Sequence, residues 1–505
     1  MIDLQPATFE EFEREAQRGN VVPVVRTVLA DLQTPVSAFM RVAGEAPYAF
    51  LLESVEGGER VARYSFLGAE PELVVRGRGD GTIVERRDGG REVYEGKRAI
   101  DFMRDYFGAR RLARRAGLVP MAGGAVGYLA YDAVRWFEPV LEKDVKAADD
   151  TDEAVFMIFR TVLAFDRVRQ QIAITSVVNT DEAAGNRARL EELYRAAVEE
   201  TARLEKILAG EAATRGAGAE EREGQSEPSP FEANWTRGEF EDAVRKIKEH
   251  IAAGDCYQVV LSQRLSRKVN AGPLEIYRAL RATNPSPYLF FLRLGGVSVV
   301  GSSPEMLVRC RGQRLDYRPI AGTRKRGATE TEDWLLGEEM RADEKEVAEH
   351  TMLVDLGRND LGRVSDYGSV EVEELMAVER YSHVQHLVTQ LRARLRDELD
   401  RFDALAACFP AGTVTGAPKV RAMQLIGELE PTPRGIYSGT VFYADYADNL
   451  DSCISIRTVV LRDGVASVQA GAGIVADSVP EKEYEETLNK ARALINAVEM
   501  AERGL

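Results

Sequence analysis

The 505-residue chain has no long apolar run, no basic leader and no paired cysteines. A bilayer span needs about 18 or more consecutive apolar residues, and a secretory signal needs a basic stretch followed by an apolar one, so we expect neither. The four cysteines, Cys256, Cys310, Cys408 and Cys453, are scattered without a CxxC pair. This spacing favours reduced thiols over a disulfide framework or a zinc site, and therefore a cytoplasmic protein.

An excess of positive charge is also missing, because 82 Asp and Glu oppose 66 Lys and Arg and the formal net charge is -16. Such a field repels polyanions, which makes nucleic acid and anionic membrane surfaces poor partners. An anionic small molecule stays compatible with this charge if basic groups or a metal ion are concentrated in one cleft. The content of 45% hydrophobic and 29% charged residues is typical of a globular protein.

Composition divides the chain into three parts. Residues 1–205 and 234–505 alternate strand-like runs with helices, whereas residues 206–233 contain the Gly-, Ala- and Glu-rich stretch "GEAATRGAGAEEREGQSEPSP". That stretch cannot bury enough apolar area to order itself, so we interpret it as a flexible linker. Most strands are joined by short turns, which predicts an α+β fold with largely antiparallel sheets and helices on the outside.

Two predicted helices carry pairs of glutamates three residues apart. In "PEKEYEETLNKARALINAVEM" Glu483 and Glu486 lie beside an apolar line, and in "RADEKEVAEHTMLVDLGR" Glu346 and Glu349 share their line with leucines. Neighbouring Arg or Lys side chains are one way to neutralise these pairs. If the pairs instead face each other, four carboxylates converge and need a counterion, and an all-oxygen site suits Mg²⁺. Spacing alone leaves both alternatives open.

Histidine is scarce, with four in the chain, and two of them lie in "RYSHVQHLVTQL". We interpret His383 as a packing or capping residue, whereas His386 is equally compatible with packing and with proton transfer.

Three glycine-containing segments are candidates for ligand contact. "PIAGTRKRG" and "FPAGTVTGAPK" suit anions, because the backbone amides of such turns and of helix N-termini attract negative charge. "VQAGAGIVA" has the G-x-G-x-x-A spacing of dinucleotide-binding loops, but Asp477, Ser478 and Pro480 interrupt the helix that such a loop requires. Close approach of the backbone to a ligand or another strand is therefore the better interpretation of these glycines.

These segments occur in order with "YQVVLSQR", "GSSPEML", "GIYSGTVFY" and "SIRT". The series resembles the chorismate-utilising enzymes, and within them the large subunits of the anthranilate synthases. The resemblance is dense over residues 235–500 and extends into the first region through "LLES" and "GGAVGYLAYD". It implies a sandwich of two sheets flanked by helices, with a catalytic region at 234–505 and a regulatory region at 1–205.

The resemblance also implies roles for individual residues. It implies that Mg²⁺ is held directly by Glu349 and Glu486, and through water by Glu346 and Glu483. Glu305 matches the acid that protonates the departing 4-hydroxyl, His386 the histidine that handles a proton during pyruvate loss, and Thr413 a nearby polar position without an assigned role. The implied substrate contacts are Gly322, Thr323, Tyr437, Arg457, Gly471, Ala472 and Gly473.

The implied reaction adds ammonia at C2 of chorismate as the C4 hydroxyl leaves, and then eliminates pyruvate to give anthranilate, the first step of tryptophan biosynthesis. The chain contains no Gly-x-Cys-x-Gly elbow of a glutaminase. Ammonia from glutamine therefore implies a separate amidotransferase subunit and a hetero-oligomer. Aminodeoxychorismate synthase is the nearest alternative, isochorismate and salicylate synthases come next, and a noncatalytic chorismate or amino-acid sensor is a different class.

Two positions favour anthranilate as the product. Relatives that form isochorismate or salicylate carry a Lys that activates water where this chain has Gln258, and a neutral amide is not a base at neutral pH. Many aminodeoxychorismate synthases carry a nucleophilic Lys where this chain has Ala321. Direct addition of ammonia at C2 is therefore expected.

Feedback inhibition by tryptophan is implied by two further segments, "LLES" at 51–54 and "NPSPYLFF" at 284–291. They match tryptophan-binding segments of the family and place the inhibitor at Ser54, Pro287, Tyr288 and Leu289. "LLES" is equally compatible with an ordinary half-buried strand.

Overall fold

The structure is a computed structural model that describes residues 3–54, 63–146, 148, 151–210, 229–381 and 384–504. His383 lies outside the described residues, as do residues 211–228 of the expected linker. The flanks of that linker are regular, since the residues up to Ala209 complete a helix and Glu232–Ala233 form a short strand.

The described residues form eleven α-helices and four short 3₁₀-helices. The α-helices are α1 (Phe9–Ala16), α2 (Pro35–Ala43), α3 (Ala99–Gly108), α4 (Arg187–Ala209), α5 (Arg237–Ala252), α6 (Pro273–Thr283), α7 (Glu330–Ala342), α8 (Glu344–Gly362), α9 (Arg401–Cys408), α10 (Lys419–Leu429) and α11 (Pro480–Arg503). The 3₁₀-helices are Tyr131–Trp136, Pro139–Leu141, Thr180–Ala183 and Gly412–Val414.

The described residues also form twenty-five strands. They are β1 (Asp3–Gln5), β2 (Val21–Leu29), β3 (Tyr48–Glu53), β4 (Tyr64–Ala69), β5 (Leu73–Arg78), β6 (Gly81–Arg86), β7 (Arg91–Tyr94), β8 (Gly124–Leu129), β9 (Ala154–Phe159), β10 (Thr161–Asp166), β11 (Gln171–Asn179), β12 (Glu232–Ala233), β13 (Gln258–Lys268), β14 (Tyr288–Leu294), β15 (Val297–Ser303), β16 (Met306–Arg311), β17 (Arg314–Tyr317), β18 (Ile320–Lys325), β19 (Glu371–Arg380), β20 (Val384–Arg394), β21 (Gly416–Ala417), β22 (Thr440–Asp445), β23 (Asn449–Ile454), β24 (Thr458–Arg462) and β25 (Val465–Ile474).

The strands assemble into two antiparallel sheets, as the short turns predict. The first has the order β1-β2-β11-β10-β4-β3-β14-β15-β24-β25-β13-β12, with β21 also paired to β13. The second has the order β18-β20-β17-β16-β23-β22-β8-β9-β5-β6-β7, with β19 also paired to β20. Each sheet contains strands from both sides of the linker, because β3 pairs with β14 in the first and β8 with β22 in the second.

The two sheets pack face to face around one apolar layer. That layer contains Phe50 and Phe290 from the first sheet and Val126 and Val441 from the second. Helices α2, α4, α6 and α11 cover the outer face of the first sheet, where α10 also packs against β13 and β21, and α3, α8 and α9 cover the second. Strands β8 and β9 are buried on both faces. This explains why their sequences are continuous apolar runs and do not alternate between apolar and polar residues. The α+β sandwich with external helices is thereby confirmed.

Local signals in the sequence account for the ends of the elements around the site. Thr236 and Glu239 form a capping box at the start of α5, with the Glu239 amide donating to Thr236 Oγ1 at 3.3 Å and the Thr236 amide donating to Glu239 Oε2 at 2.9 Å. The glycines of "VQAGAGIVA" lie inside β25 instead of at the start of a helix, so a dinucleotide-binding loop is wrong for this segment. Among the described helices, none combines the length and apolar character needed to cross a bilayer.

Candidate active site

Strand β25 forms one wall of the candidate site, where residues 471–473 pair with residues 260–262 of β13. A Cβ atom at Gly471 would lie 2.9 Å from the Tyr437 hydroxyl oxygen, and one at Gly473 would lie 2.7 Å from the Gln258 amide nitrogen. A larger side chain at either position would collide with these polar groups. The two glycines flanking Ala472 are therefore required for the close approach of Tyr437 and Gln258 to the strand.

Glu305 directly precedes β16 and is 8% exposed. Thr413, on the 3₁₀-helix Gly412–Val414, donates a hydrogen bond of 2.8 Å from Oγ1 to Glu305 Oε1. Burial raises the pKa of Glu305 to about 7, against the opposing effects of the Thr413 hydrogen bond and the charges of Arg457 and Lys490. The carboxyl group therefore holds its proton for part of the time at neutral pH, as a general acid must.

His386 lies opposite Thr323 in the pairing of β18 with β20. Its Nδ1 is 2.9 Å from the Gly322 carbonyl oxygen and 3.0 Å from Thr323 Oγ1. A carbonyl only accepts hydrogen bonds, so Nδ1 carries the proton and Nε2 has the free lone pair. Burial lowers the pKa of His386, and the charge of Arg457 adds to that effect. The neutral ring is therefore available as a base at Nε2.

The two glutamates of α8 lie beside β18 and β13. Glu346 accepts a hydrogen bond of 2.7 Å from Arg324, and its Oε2 is 3.0 Å from the position of a Cβ atom at Gly322. Glu349 is half-buried, and its pKa is raised first by burial and then by the neighbouring charge of Glu346. The Gln258 side chain forms a hydrogen bond with Glu349 that opposes this rise. Helix α8 thus presents its carboxylates to the same wall as the glycines of β25.

The carboxylates at the start of α11 face two different neighbours. Glu485 pairs with Arg237 at 3.1 Å and Glu481 with Arg245 at 3.9 Å, so both face α5. Glu483 lies near α8 instead: burial raises its pKa, and the Ser478 side chain and then the charges of Lys345 on α8 and of Lys490 oppose that rise. Burial raises the pKa of Glu483 by more than these cations lower it. One part of the acidic cluster therefore binds structural arginines, and the other part lies at the candidate site.

Lys490 is a further candidate site residue, which no sequence pattern indicates. Its Nζ is 2.8 Å from Glu486 Oε1 and donates to the Gly471 carbonyl oxygen at 3.0 Å. Its charge also lowers the pKa of Glu305, Glu349 and Glu483. One ammonium group thus lies close to the expected acid, to the expected metal ligands and to the glycine wall. The spacing Glu486-x-x-x-Lys490 is that of an ordinary surface ion pair, which is why the sequence gives no signal for it.

The donor set suits Mg²⁺ chemically, although the carboxylates are not gathered around one point. Within the described part of the chain, no three Asp, Glu, His or Cys side chains converge closely enough to hold a metal ion. Glu346 is paired with Arg324 and Glu486 with Lys490. The available donors are carboxylate oxygens, which Mg²⁺ prefers, and a cation between α8 and α11 removes the repulsion that raises the pKa of Glu349. For Glu486 to bind Mg²⁺, its carboxylate would have to exchange Lys490 for the metal ion.

A cavity of about 1030 Å³ lies between the sheets, and its lining includes Ser54, Pro287, Tyr288 and Leu289. The two distant segments meet because Leu289 of β14 pairs with Glu53 of β3. Ser54 Oγ is buried and has no hydrogen-bond partner among the described residues. A buried hydroxyl without a hydrogen-bond partner costs free energy unless a ligand or a water molecule forms a hydrogen bond with it.

Tyr288 connects this cavity to the strands that lead to the candidate active site. Its hydroxyl donates to Asp451 Oδ1 at 3.2 Å and accepts from Arg309 at 3.2 Å. Arg309 lies on β16, which begins immediately after Glu305, and Asp451 lies on β23, three residues before its end.

Comparison with known proteins identifies the class to which this fold and site belong. A family model described as chorismate binding enzyme matches residues 89–496. The chain belongs to this family.

Individual relatives show which members of the family this chain resembles. A protein of Acetivibrio thermocellus named anthranilate synthase component 1 is 46% identical over 497 residues, covering 98% of both chains. A protein of Thermus thermophilus with the same name is 45% identical over 490 residues, covering 96% of this chain and 99% of the relative. The crystal structure of anthranilate synthase component I from Streptococcus pneumoniae is 33% identical, with a TM-score of 0.74, and covers 92% of this chain and 98% of that one.

Proposed function

We propose that the chain is the chorismate-aminating subunit of an anthranilate synthase, which converts chorismate and ammonia to anthranilate, pyruvate and water. The observation that carries this proposal is that the candidate acid, the candidate base and the candidate metal ligands lie near the same two cations, with Lys490 bonded to the glycine wall of β25. The charge of Lys490 opposes the rise in the pKa of Glu305, Glu349 and Glu483 that burial causes. The charge of Arg457 lowers the pKa of Glu305 and of His386. Acid, base and carboxylate-rich helices therefore serve one substrate site, for which the relatives named anthranilate synthase component 1 supply the chemistry.

The first step forms a bond between ammonia and C2 while the C4 hydroxyl leaves. Glu305 donates its proton to the departing hydroxyl, which leaves as water, and Thr413 holds the carboxyl group through Oε1. Burial keeps the proton available for this step, because it holds the proton on Glu305 up to about pH 7. A carboxyl group with its ordinary pKa is already ionised at that pH.

We assign binding of the substrate carboxylates to the basic side chains and the backbone donors at the wall formed by β25. The guanidinium of Arg457 and the ammonium of Lys490 are the cations that act on Glu305. The hydroxyl of Tyr437 is next to Gly471. Chorismate carries two carboxylates, and such a set of charged and neutral donors suits them. The net charge of -16 makes this local concentration of positive charge necessary for a dianion to enter.

Mg²⁺ is proposed as the cofactor, held directly by Glu349 and Glu486, with Glu346 and Glu483 at the outer, water-mediated positions. When bound, it neutralises the carboxylates of α8 and α11 and stabilises negative charge on the ring carboxylate of the substrate.

His386 is assigned to the second step, in which the C2 hydrogen and the enolpyruvyl group are lost and pyruvate is released. Its free Nε2 is the atom that accepts or returns a proton, since Nδ1–H is held by the Gly322 carbonyl. The Thr323 hydroxyl lies against the same nitrogen and keeps the ring in one orientation.

Product identity follows from two side chains. The Gln258 amide bonds to Glu349 and lies against Gly473, so no base stands there to activate water. Ala321 lies opposite Leu387 in the pairing of β18 with β20 and offers no nucleophile. Ammonia is already nucleophilic and adds directly, which favours anthranilate over isochorismate and over 4-amino-4-deoxychorismate.

The partner and the inhibitor complete the proposal. Glutamine-derived ammonia requires a separate amidotransferase subunit, and the complex is a hetero-oligomer of the cytoplasm. Tryptophan is the proposed occupant of the cavity lined by Ser54, Pro287, Tyr288 and Leu289. It inhibits by binding the less active arrangement more tightly.

The decisive experiment mixes the purified chain with chorismate, Mg²⁺ and ammonium and identifies the products by mass and by the fluorescence of anthranilate. We expect anthranilate and pyruvate in equal amounts, and their loss when Mg²⁺ is chelated. Isochorismate or 4-amino-4-deoxychorismate as the main product would contradict the proposed reaction. Binding of chorismate without turnover under all these conditions would favour a sensor.

A further inference from the structure

His350 is a fully buried histidine in the middle of α8, one residue after Glu349. Its Nε2 is 2.6 Å from Thr389 Oγ1 on β20. The other ring nitrogen, Nδ1, is buried and has no hydrogen-bond partner among the described residues. A buried polar ring that satisfies only one of its two nitrogens is less favourable than an apolar side chain in the same space. The contact with Thr389 must therefore serve a purpose besides packing.

The two halves of α8 are held in different ways. In the C-terminal half a Cβ atom at Gly357 would lie 2.5 Å from Tyr317 Cε1, and Asp360 pairs with Lys419 at 2.7 Å. The N-terminal turns, residues 344–349, have no fully buried side chain. His350 is the first fully buried residue of the helix. The segment that carries Glu346 and Glu349 therefore has little apolar contact with the sheet.

Thr389 connects His350 to β20, to β19 and to the residue before β18. Its Oγ1 accepts a hydrogen bond of 3.0 Å from the amide of Met376 on β19, and its own amide donates to the Pro319 carbonyl, before β18, at 3.2 Å. Thr389 lies opposite a register shift of β19, between Glu374 and Ala377, whose partners on β20 are residues 390 and 388. The register of β18 shifts two to three residues earlier on β20, where residues 321 and 323 pair with residues 387 and 386.

The same strand carries His386 three residues earlier. Side chains alternate along a strand, so Thr389 and His386 point to opposite faces of β20. Thr389 points toward α8, and His386 points toward Gly322 and Thr323. A hydrogen bond to Thr389 therefore ties the carboxylate-bearing turns of α8 to the strand that positions the proposed base.

We propose that His350 is a positioning residue, whose hydrogen bond to Thr389 sets the place of Glu346 and Glu349 on α8 relative to His386 on β20. This inference rests on the proposed function, because it assigns those glutamates and His386 to one reaction. Apolar contact alone resists separation of a helix from a sheet but allows sliding and rotation, whereas a directional hydrogen bond resists both. The ring acts through the groups that it positions and touches neither substrate nor metal.

The test removes the hydrogen bond from either side while retaining the shape. His350→Phe and Thr389→Val each delete it, and Thr389→Ser retains the hydroxyl. Thr201→Val is the matched control, because Thr201 on α4 is a fully buried threonine whose hydroxyl is also bonded, and α4 carries none of the site residues. The full chain is used in every case.

The first readout needs neither substrate nor metal. We expect the amides of residues 345–351 to exchange hydrogen at least about fivefold faster in His350→Phe and Thr389→Val, with unchanged exchange in Thr389→Ser and in the control. The second readout is turnover of chorismate at several Mg²⁺ concentrations. We expect kcat to fall about tenfold and the Mg²⁺ concentration for half-maximal rate to rise several-fold, and the double variant to be no worse than the poorer single variant.

The outcomes separate this inference from the proposed function. If the wild-type chain does not turn over chorismate, the proposed function fails, and the exchange data still decide whether the hydrogen bond holds the start of α8. If the wild type is active and both deletion variants keep its kcat and Mg²⁺ response, the positioning role is wrong, even where the melting temperature falls. Additive losses in the double variant would also contradict it, because two independent effects do not describe one hydrogen bond.

Discussion

Replacing Glu305 by Gln is expected to stabilise the folded chain above neutral pH while abolishing most of its activity. Burial raises the folded pKa of Glu305 from 4.5 to about 7. The folded state therefore holds this proton more tightly than the unfolded state does. The resulting contribution to stability is fully present below pH 4.5, declines between pH 4.5 and about 7, and is lost above that range. Glutamine is neutral throughout and keeps an oxygen that accepts the Thr413 hydrogen bond.

The size of the effect follows from the two pKa values. They differ by about 2.5, and each pKa unit corresponds to about 1.4 kcal/mol. Ionising Glu305 in the folded state at pH 8.5 therefore costs about 3 kcal/mol. The variant and the wild type should be equally stable at pH 4, and the variant should be more stable by up to that amount at pH 8.5.

Urea unfolding at pH 4 and pH 8.5 measures the effect, and the difference between variant and wild type cancels the titration of all other groups. Glu199→Gln is the matched control, since it removes an exposed carboxylate of α4, a helix that carries none of the site residues. Turnover of chorismate by Glu305→Gln should fall by about 10² to 10⁴, the range for loss of a general acid. A stability difference between variant and wild type that does not change with pH would show that the carboxyl is not held neutral, and the acid assignment would lose its physical basis.

Three further predictions test other parts of the proposal. Glu349→Gln and Glu486→Gln should each lower kcat about 100-fold or more and weaken the dependence of the rate on Mg²⁺, with an unchanged circular dichroism spectrum, and near-normal rates in both would contradict the metal assignment. Saturating tryptophan should inhibit the wild type, and Ser54→Phe, which fills the cavity, should relieve that inhibition; equal inhibition of both would place tryptophan elsewhere. Gln258→Lys should yield some isochorismate beside anthranilate by mass spectrometry, and anthranilate as the sole product would show that this position does not select the nucleophile.

Much of the architecture can be predicted from the sequence because its signals are local. Short turns predict antiparallel pairing, the capping box at Thr236 marks the start of α5, and Pro480 marks the start of α11. The pairing of β3 with β14 is different, because it joins segments more than 200 residues apart and depends on the complete sandwich. No short-range pattern specifies such a partner. The resemblance brings the two segments together by placing one inhibitor on both, but the pairing of their strands in a shared sheet needed the structure.

The site shows the same division. The order of the motifs identifies Glu305, His386 and Arg457 as candidate site residues. The roles of the acidic residues depend instead on which side chains face them. The 3.6-residue period of α11 separates Glu481 and Glu485 from Glu483, but only the packed structure shows that arginines of α5 face the first pair. His350 is missed for a related reason, since a histidine in the apolar stripe of a helix resembles a core residue until its hydrogen-bond partner is known.

The buried carboxylates of the site lower the stability of the fold, so another part of the structure must supply the compensating free energy. Burial raises the pKa of Glu305, Glu349 and Glu483, so each contributes less to stability as the pH rises through its folded pKa. Nearby cations such as Lys490 reduce this loss of stability without removing it, because the pKa values of the three glutamates stay raised with the cations in place. The compensating stability comes from the apolar layer between the sheets, where side chains such as Phe50 are fully buried and each is worth about 1.5–3 kcal/mol. Because that layer is built from both regions of the chain, the first region supports the carboxylates of the second even though the glutamates and the proposed acid and base all lie after the linker.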